Sequence, residues 1–207
     1  MNAPATKKRP ISSLTRSPRH AQPKGAPAGG KFRVRTVVIF SGALFKVPQG
    51  IQRIDSKSTH GWQVRLHGTK MFSDHTRDGS GARASLRLAV KELLARIATQ
   101  PAPVSLQRAA SVNKASGLPP GISGPIVRER AGGVLSASLS VLLPRWGDKP
   151  QVRNLHIGSE ANYTRARFRA ALAQAIALRK QALAAYVDAA TRARRKAARE
   201  LKALLAD

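Results

Sequence analysis

The hydrophobic pattern of this chain changes period several times, and each change marks an element. From Phe32 to Phe40 the β-branched run Val34, Thr36, Val37, Val38 and Ile39 predicts a strand. Pro48 to Asp55, PQGIQRID, reads as a turn entering a short strand, and Ser56 to Gly61 as a turn. Trp62 to His67 alternates strictly: Trp62, Val64 and Leu66 fall on one face, Gln63, Arg65 and His67 on the other. The chain then turns at Gly68 into a third short strand, Lys70-Met71-Phe72. After a polar, glycine-containing loop, Leu86, Ala89, Val90, Leu93, Leu94 and Ile97 recur at helical spacing. Three strands and one amphipathic helix predict a sheet with one face covered and the other, bearing Gln63 and Arg65, open to solvent or a ligand.

The pattern recurs beyond a stretch from Thr99 to Pro120 that holds four prolines among Ser, Ala and Gly and reads as a linker. Gly121-Ile122 echoes Gly50-Ile51, about 71 residues earlier. Ser136, Ser138 and Ser140 alternate with Ala137, Leu139, Val141 and Leu143 as a half-buried strand. Val152 to Ile157 follows as another, and Phe168, Leu172, Ile176 and Leu183 line a helix. That helix pattern runs from Tyr163 to Leu205, turning from Ala/Leu-rich to Arg/Ala-rich at Thr191. The expected fold class is α+β: two small βββα modules, a disordered basic arm and a long basic C-terminal helix. One irregular α+β domain is the alternative. The expected boundaries are 1–31 for the arm, 32–98 for the first module, 99–119 for the linker, 120–184 for the second module and 185–207 for the helix extension.

Charge narrows the functional classes. The 207 residues carry 37 Lys+Arg against 10 Asp+Glu, a formal +27, and such an excess calls for a polyanionic partner. It is spread along the chain: seven basic and no acidic residues in 1–31, twelve against four in 32–100, seven against three in 101–160, and eleven against three in 161–207. A hydrophobic content of 42% is too high for a basic tail alone. The absence of cysteine excludes disulfide scaffolds, zinc fingers and thiol nucleophiles. No apolar run reaches the roughly 20 residues that span a bilayer, and the basic N-terminus lacks the apolar core of a secretory signal. An intracellular protein, cytoplasmic or nucleoid-associated, with no membrane partner is expected.

Two features imitate chemistry. Gly25 to Phe32, GAPAGGKF, matches a phosphate-binding loop except that Phe32 stands where Ser or Thr is needed. It is followed by a strand pattern instead of the helix whose N-terminus would cradle phosphate. Asp74, His75 and Asp78 cluster, but in a polar loop before a helix, without the further ligands and general base of a metal-dependent nuclease. No catalytic residue, metal or cofactor is expected, and the chain reads as a non-enzyme.

GIQRID followed by GWQVRLHGTKMF and an Ala/Leu helix, over Gln49 to Ala98, resembles the APETALA-two/ethylene-response-factor (ERF) DNA-binding domain family, in its bacterial and phage branch. Gly121 to Lys180 resembles it more weakly, through GIS, LHIGSEANY and Ala171, Ala175 and Arg179. The resemblance implies a three-stranded antiparallel sheet on one helix, with the open sheet face entering the major groove of double-stranded DNA. The matching positions are Arg53, Gln63, Arg65 and Lys70. Arginine pairs bidentately with guanine, glutamine with adenine, and lysine suits a phosphate. Trp62 falls on the core face by alternation, whereas Phe72 fits either the core or the base side. In the second copy the candidates are Arg128, Arg130 and Arg153, clamping backbone while the first copy reads sequence. The expected role is a transcriptional regulator or a phage or mobile-element DNA-binding factor. RNA binding or ribosome association, and a packaging-type coating protein, are the alternatives; a homodimer is left open but not indicated.

Overall fold

A computed structural model describes residues 31–104, 106, 114, 116–130 and 132–204. The arm expected over 1–31, Lys31 apart, and the first six residues of the phosphate-loop imitation lie outside them, as does part of the linker. The α+β class stands: the described residues form three antiparallel sheets, one of two strands and two of three, and two helices, of which the C-terminal one spans 40 residues.

The chain opens with a hairpin of β1 (Val34–Val38) and β2 (Leu44–Pro48). The reversal is closed by hydrogen bonds between Ile39 and Ala43 and between Gly42 and Ile39, and Gly42 takes the positive φ such a turn requires. Next come β3 (Ile51–Asp55), β4 (His60–Arg65) and β5 (Thr69–Ser73), in that order in one sheet. His67 and Gly68, both at positive φ, turn β4 into β5. Arg96 ties that turn to the following helix by donating to the Leu66 and Gly68 carbonyls at 2.7 and 2.9 Å.

Helix α1 (Ala82–Thr99) lays Ala82, Ser85, Ala89, Leu93 and Ile97 on the sheet, one residue per turn along a single stripe. Its start is set by a close backbone approach: a Cβ on Gly81 would lie 1.9 Å from the Asp74 carbonyl oxygen, so only glycine fits. The core between sheet, helix and hairpin holds Ile51, Trp62, Val64, Ala89 and Leu93, with Ile39 and Val47 from the hairpin side. Trp62 is fully buried, donates from Nε1 to the Ala82 carbonyl at 2.8 Å and meets Phe45 edge-on.

The second three-stranded sheet contains β6 (Ile122–Glu129), β7 (Leu135–Leu143) and β8 (Gln151–Ser159), with β7 central. Ile122, Leu139, Val141, Leu155 and Ile157 face the N-terminal half of helix α2 (Arg165–Leu204), which adds Ala171 and Ala175 to their core. Thr164 caps α2 by accepting from the Arg167 amide.

The strand β2 carries little signal in the sequence, because LFKVP is short, has an exposed lysine and ends in proline, which weakens a strand pattern. Helix α2 runs unbroken through 184/185, in keeping with the single helix pattern from Tyr163 to Leu205 that the sequence divides there into second module and helix extension. Its C-terminal half returns to the first core: Ala198 packs there, Thr191 Oγ1 accepts from the Ala102 amide at 2.9 Å, and Arg195 Nε donates to the Ile97 carbonyl. Among the described residues no helix is long and apolar enough to cross a membrane.

Candidate nucleic-acid interface

Residues directly opposite each other in a sheet share a face, so the registers assign every side chain. In the first sheet Ile51 pairs with Val64, Arg53 with Trp62, Trp62 with Phe72, and Val64 with Lys70. These form the helix-covered side. The other side pairs Gln52 with Gln63, Gln63 with Met71, Ile54 with Gly61, Gly61 with Ser73 and Arg65 with Thr69. Gln63 and Arg65 therefore stand on the open face as expected. Arg65 Nε donates to Gln63 Oε1, which holds the two side chains together on that face.

The register corrects two sequence assignments. Arg53 lies on the covered face, its side chain only 7% exposed. Its guanidinium donates from Nη1 and Nη2 to the fully buried carboxylate of Asp74 at 3.1 and 2.6 Å. It reaches Asp55 through Nε at 3.0 Å and stacks 5.0 Å over the Trp62 ring. Ser85 Oγ donates to Asp74 as well. Burial pulls the Arg53 guanidinium down, but the hydrogen bonds and charges of Asp74 and Asp55 outweigh it and hold it above its ordinary value. Lys70 is also on the covered side: its Nζ binds Glu92 of α1 at 3.1 Å and sits 5.4 Å over Phe72. Phe72, opposite Trp62, is a partly buried core residue. Strict alternation through Trp62 sets the faces of β4, but β3 and β5 are too short for their faces to follow without the register.

A consequence is charge segregation. Asp55, Asp74 and Glu92 all stand on the helix side, paired with Arg53, Lys70 and Arg96. The open-face positions Gln52, Ile54, Gln63, Arg65, Thr69, Met71 and Ser73 carry no carboxylate.

That face runs into a cleft of about 490 Å³ lined by Arg33, Val34, Arg35, Gln49, Gly50, Ile51, Gln52 and Arg65. Arg35 Nη2 donates to the Ile51 carbonyl at 3.1 Å, which docks β1 against β3 and aims its arginines at this edge. Three arginines and two glutamines thus converge on one concavity. Arg33 and Arg35 were not singled out in the sequence, although their alternation within FRVRTVV is a legible signal: both fall on one side of β1.

In the second sheet Ser123 pairs with Ser140, Ser140 with Asn154, Ile126 with Ser138, Ser138 with His156 and Arg128 with Ser136. The face away from α2 is therefore rich in hydroxyls, and Ser136 Oγ lies 3.3 Å from His156 Nδ1. Of the expected contacts, Arg128 is on this face, Arg130 is exposed at the β6–β7 turn, and Arg153 pairs with Val141 on the α2 side of the edge strand β8. The structure does not bring these three together on one face.

The basic end of α2 is only partly an outward surface. Arg192, Lys196, Arg199 and Lys202 are exposed. Arg194 turns inward, 5.0 Å over the Phe32 ring, and burial holds its guanidinium below its ordinary value. Asp78 accepts from the Ser80 amide and hydroxyl in the loop before α1, and among the described residues no group of three His, Asp or Glu is placed to hold a metal ion. Comparison with protein-family models, with curated proteins and with solved structures found no match to this chain.

Proposed function

We propose that this chain is a non-enzymatic, double-stranded DNA-binding protein, a regulator or mobile-element factor, that lays the open face of β3–β5 in the major groove. The observation that carries the reading is the segregation of charge: every carboxylate of that sheet and its helix sits on the covered side, leaving Arg65, Gln63 and Gln52 beside the Arg33/Arg35 cleft. A narrow sheet fits a groove about 12 Å wide, and its central strand reaches the floor. Arg65 offers a bidentate fork to guanine O6 and N7, and Gln63 a matching pair of contacts to adenine. Arg33 and Arg35 grip flanking phosphates, which fixes register without reading sequence. Arg53 and Lys70 are structural in this reading.

The two sheet-on-helix units are divergent copies of one βββα module, their third strand followed in each case by the helix that covers the sheet. The second copy offers hydroxyls at Ser138 and Ser140 and serves the backbone, with Arg128 and Arg130 as its cations. Against an RNA partner stands the makeup of the first open face, which has no aromatic side chain on which to stack a base.

Selection from a random duplex library at about 150 mM salt, with structured RNA as competitor, tests the proposal. Recovery of a duplex motif supports it. Preference for the RNA, or salt-steep duplex binding without any motif, overturns it in favour of an RNA partner or of coating.

A further inference from the structure

Resting on that DNA-binding reading, we infer that α2 is a ruler, fixing two duplex contacts about one helical turn of DNA apart. The helix holds no glycine or proline from Arg165 to Leu204, so nothing in it hinges. Its N-terminal half is bolted to β6–β8, and its C-terminal half to α1, the helix that covers β3–β5. In the N-terminal half Ala175 is fully buried in the core of β6–β8, and Arg179 donates to the Leu142 carbonyl. In the C-terminal half Ala198 lies in the core beneath β3–β5, and Thr191 accepts from the Ala102 amide. Ala175 and Ala198 are 23 positions apart, which at about 1.5 Å per residue separates the two anchor points by about 34 Å. B-form DNA presents its major groove on the same side every 34–36 Å, or about 10 base pairs. A linker of the composition of 99–119 tolerates a range of spacings; a helix docked at both ends does not.

The full chain is tested on duplexes carrying the selected site, with a short patch of neutral methylphosphonates in the flanking backbone centred about 5, 10 or 15 base pairs from it. The expected result is one chain per duplex and affinity on the order of 10²-fold lower with the patch at 10 base pairs, where it removes the second sheet's contact, than at 5 or 15. Ala184→Pro, in the exposed middle of α2, is expected to abolish this position dependence while the selected motif is kept. If that variant does not fold, the patch series on the native chain decides alone. Equal affinity at all three patch positions, or two chains per duplex, overturns the ruler and leaves the DNA-binding reading intact. Absence of any duplex motif overturns both.

Discussion

Replacing Asp74 separates the structural role of Arg53 from a DNA-contacting one. The Asp74 carboxylate is fully buried, accepts from two Arg53 nitrogens at 3.1 and 2.6 Å, and takes a third hydrogen bond from Ser85. At a separation near 3 Å the gross attraction is about 5 kcal/mol at an effective dielectric of about 20, largely offset by the desolvation of both ions. Truncation removes the attraction and leaves the desolvation. Asp74→Ala strands a guanidinium that is only 7% exposed, with Asp55 as its remaining partner, and is expected to cost about 3–5 kcal/mol. Against a total stability of about 5–15 kcal/mol that is a large loss, and a urea titration followed by circular dichroism reads it as a lower midpoint. Arg53→Met combined with Asp74→Leu replaces both charges with apolar groups of similar volume. It is expected to recover most of the loss, and the refolded double variant is expected to bind DNA as the native chain does. A cost below about 1 kcal/mol for Asp74→Ala, the range of a surface pair, refutes the reasoning about the pair. A double variant that is stable but has lost DNA affinity returns Arg53 to the interface.

Three further outcomes follow from the same geometry. Trp62→Phe removes the Nε1 donation to the Ala82 carbonyl and is expected to cost about 1–3 kcal/mol in denaturant with DNA affinity unchanged; lost affinity without lost stability would place the indole on DNA. Asp55 feels a burial that raises its pKa, but hydrogen bonds from Arg53 and His60 outweigh it and hold the carboxyl below its ordinary range. Its contribution is complete above the unfolded value of about 3.9 and disappears as pH falls through the folded one. An acid limb of unfolding that Asp55→Asn flattens is expected, and an unchanged limb contradicts it. Arg33→Ala and Arg35→Ala are each expected to lower the slope of log affinity against log salt by about 0.9, with the selected motif intact; an altered motif would make the cleft a reader of bases.

The elements that could be read from sequence were those with an internal phase. Alternation from Trp62 onward identifies a strand and both of its faces, but the strand runs His60–Arg65: Trp62 and Val64 are buried and Arg65 is exposed, whereas His67, expected on the open face, already belongs to the turn. The helical stripe through Ala89, Leu93 and Ile97 was equally clear. The positions of Arg53 and Lys70 were not, because a five-residue strand gains its face from its neighbour: Arg53 is inward only through its pairing with Trp62, and Lys70 through Val64. Asp74 sits in what reads as a polar loop, and nothing local announces that it neutralises an arginine 21 residues away. The return of α2 to the first core was hidden for a related reason. Ala198 in an Arg/Ala-rich run looks like a solvated helix end, and only tertiary contact makes its small side chain an asset.

The central claim, that the open face of β3–β5 reads base edges while the neighbouring arginines supply grip, is tested most directly by the specificity profile of one variant. Binding of Arg65→Ala is measured across all single-base variants of the selected site, beside Arg33→Ala as comparison. The expected result is a loss of about 1–3 kcal/mol for Arg65→Ala on the native site, with discrimination gone at one base pair and kept at the others, while Arg33→Ala weakens every sequence alike. A uniform loss from Arg65→Ala, with the base preferences unchanged, would contradict groove reading by this face.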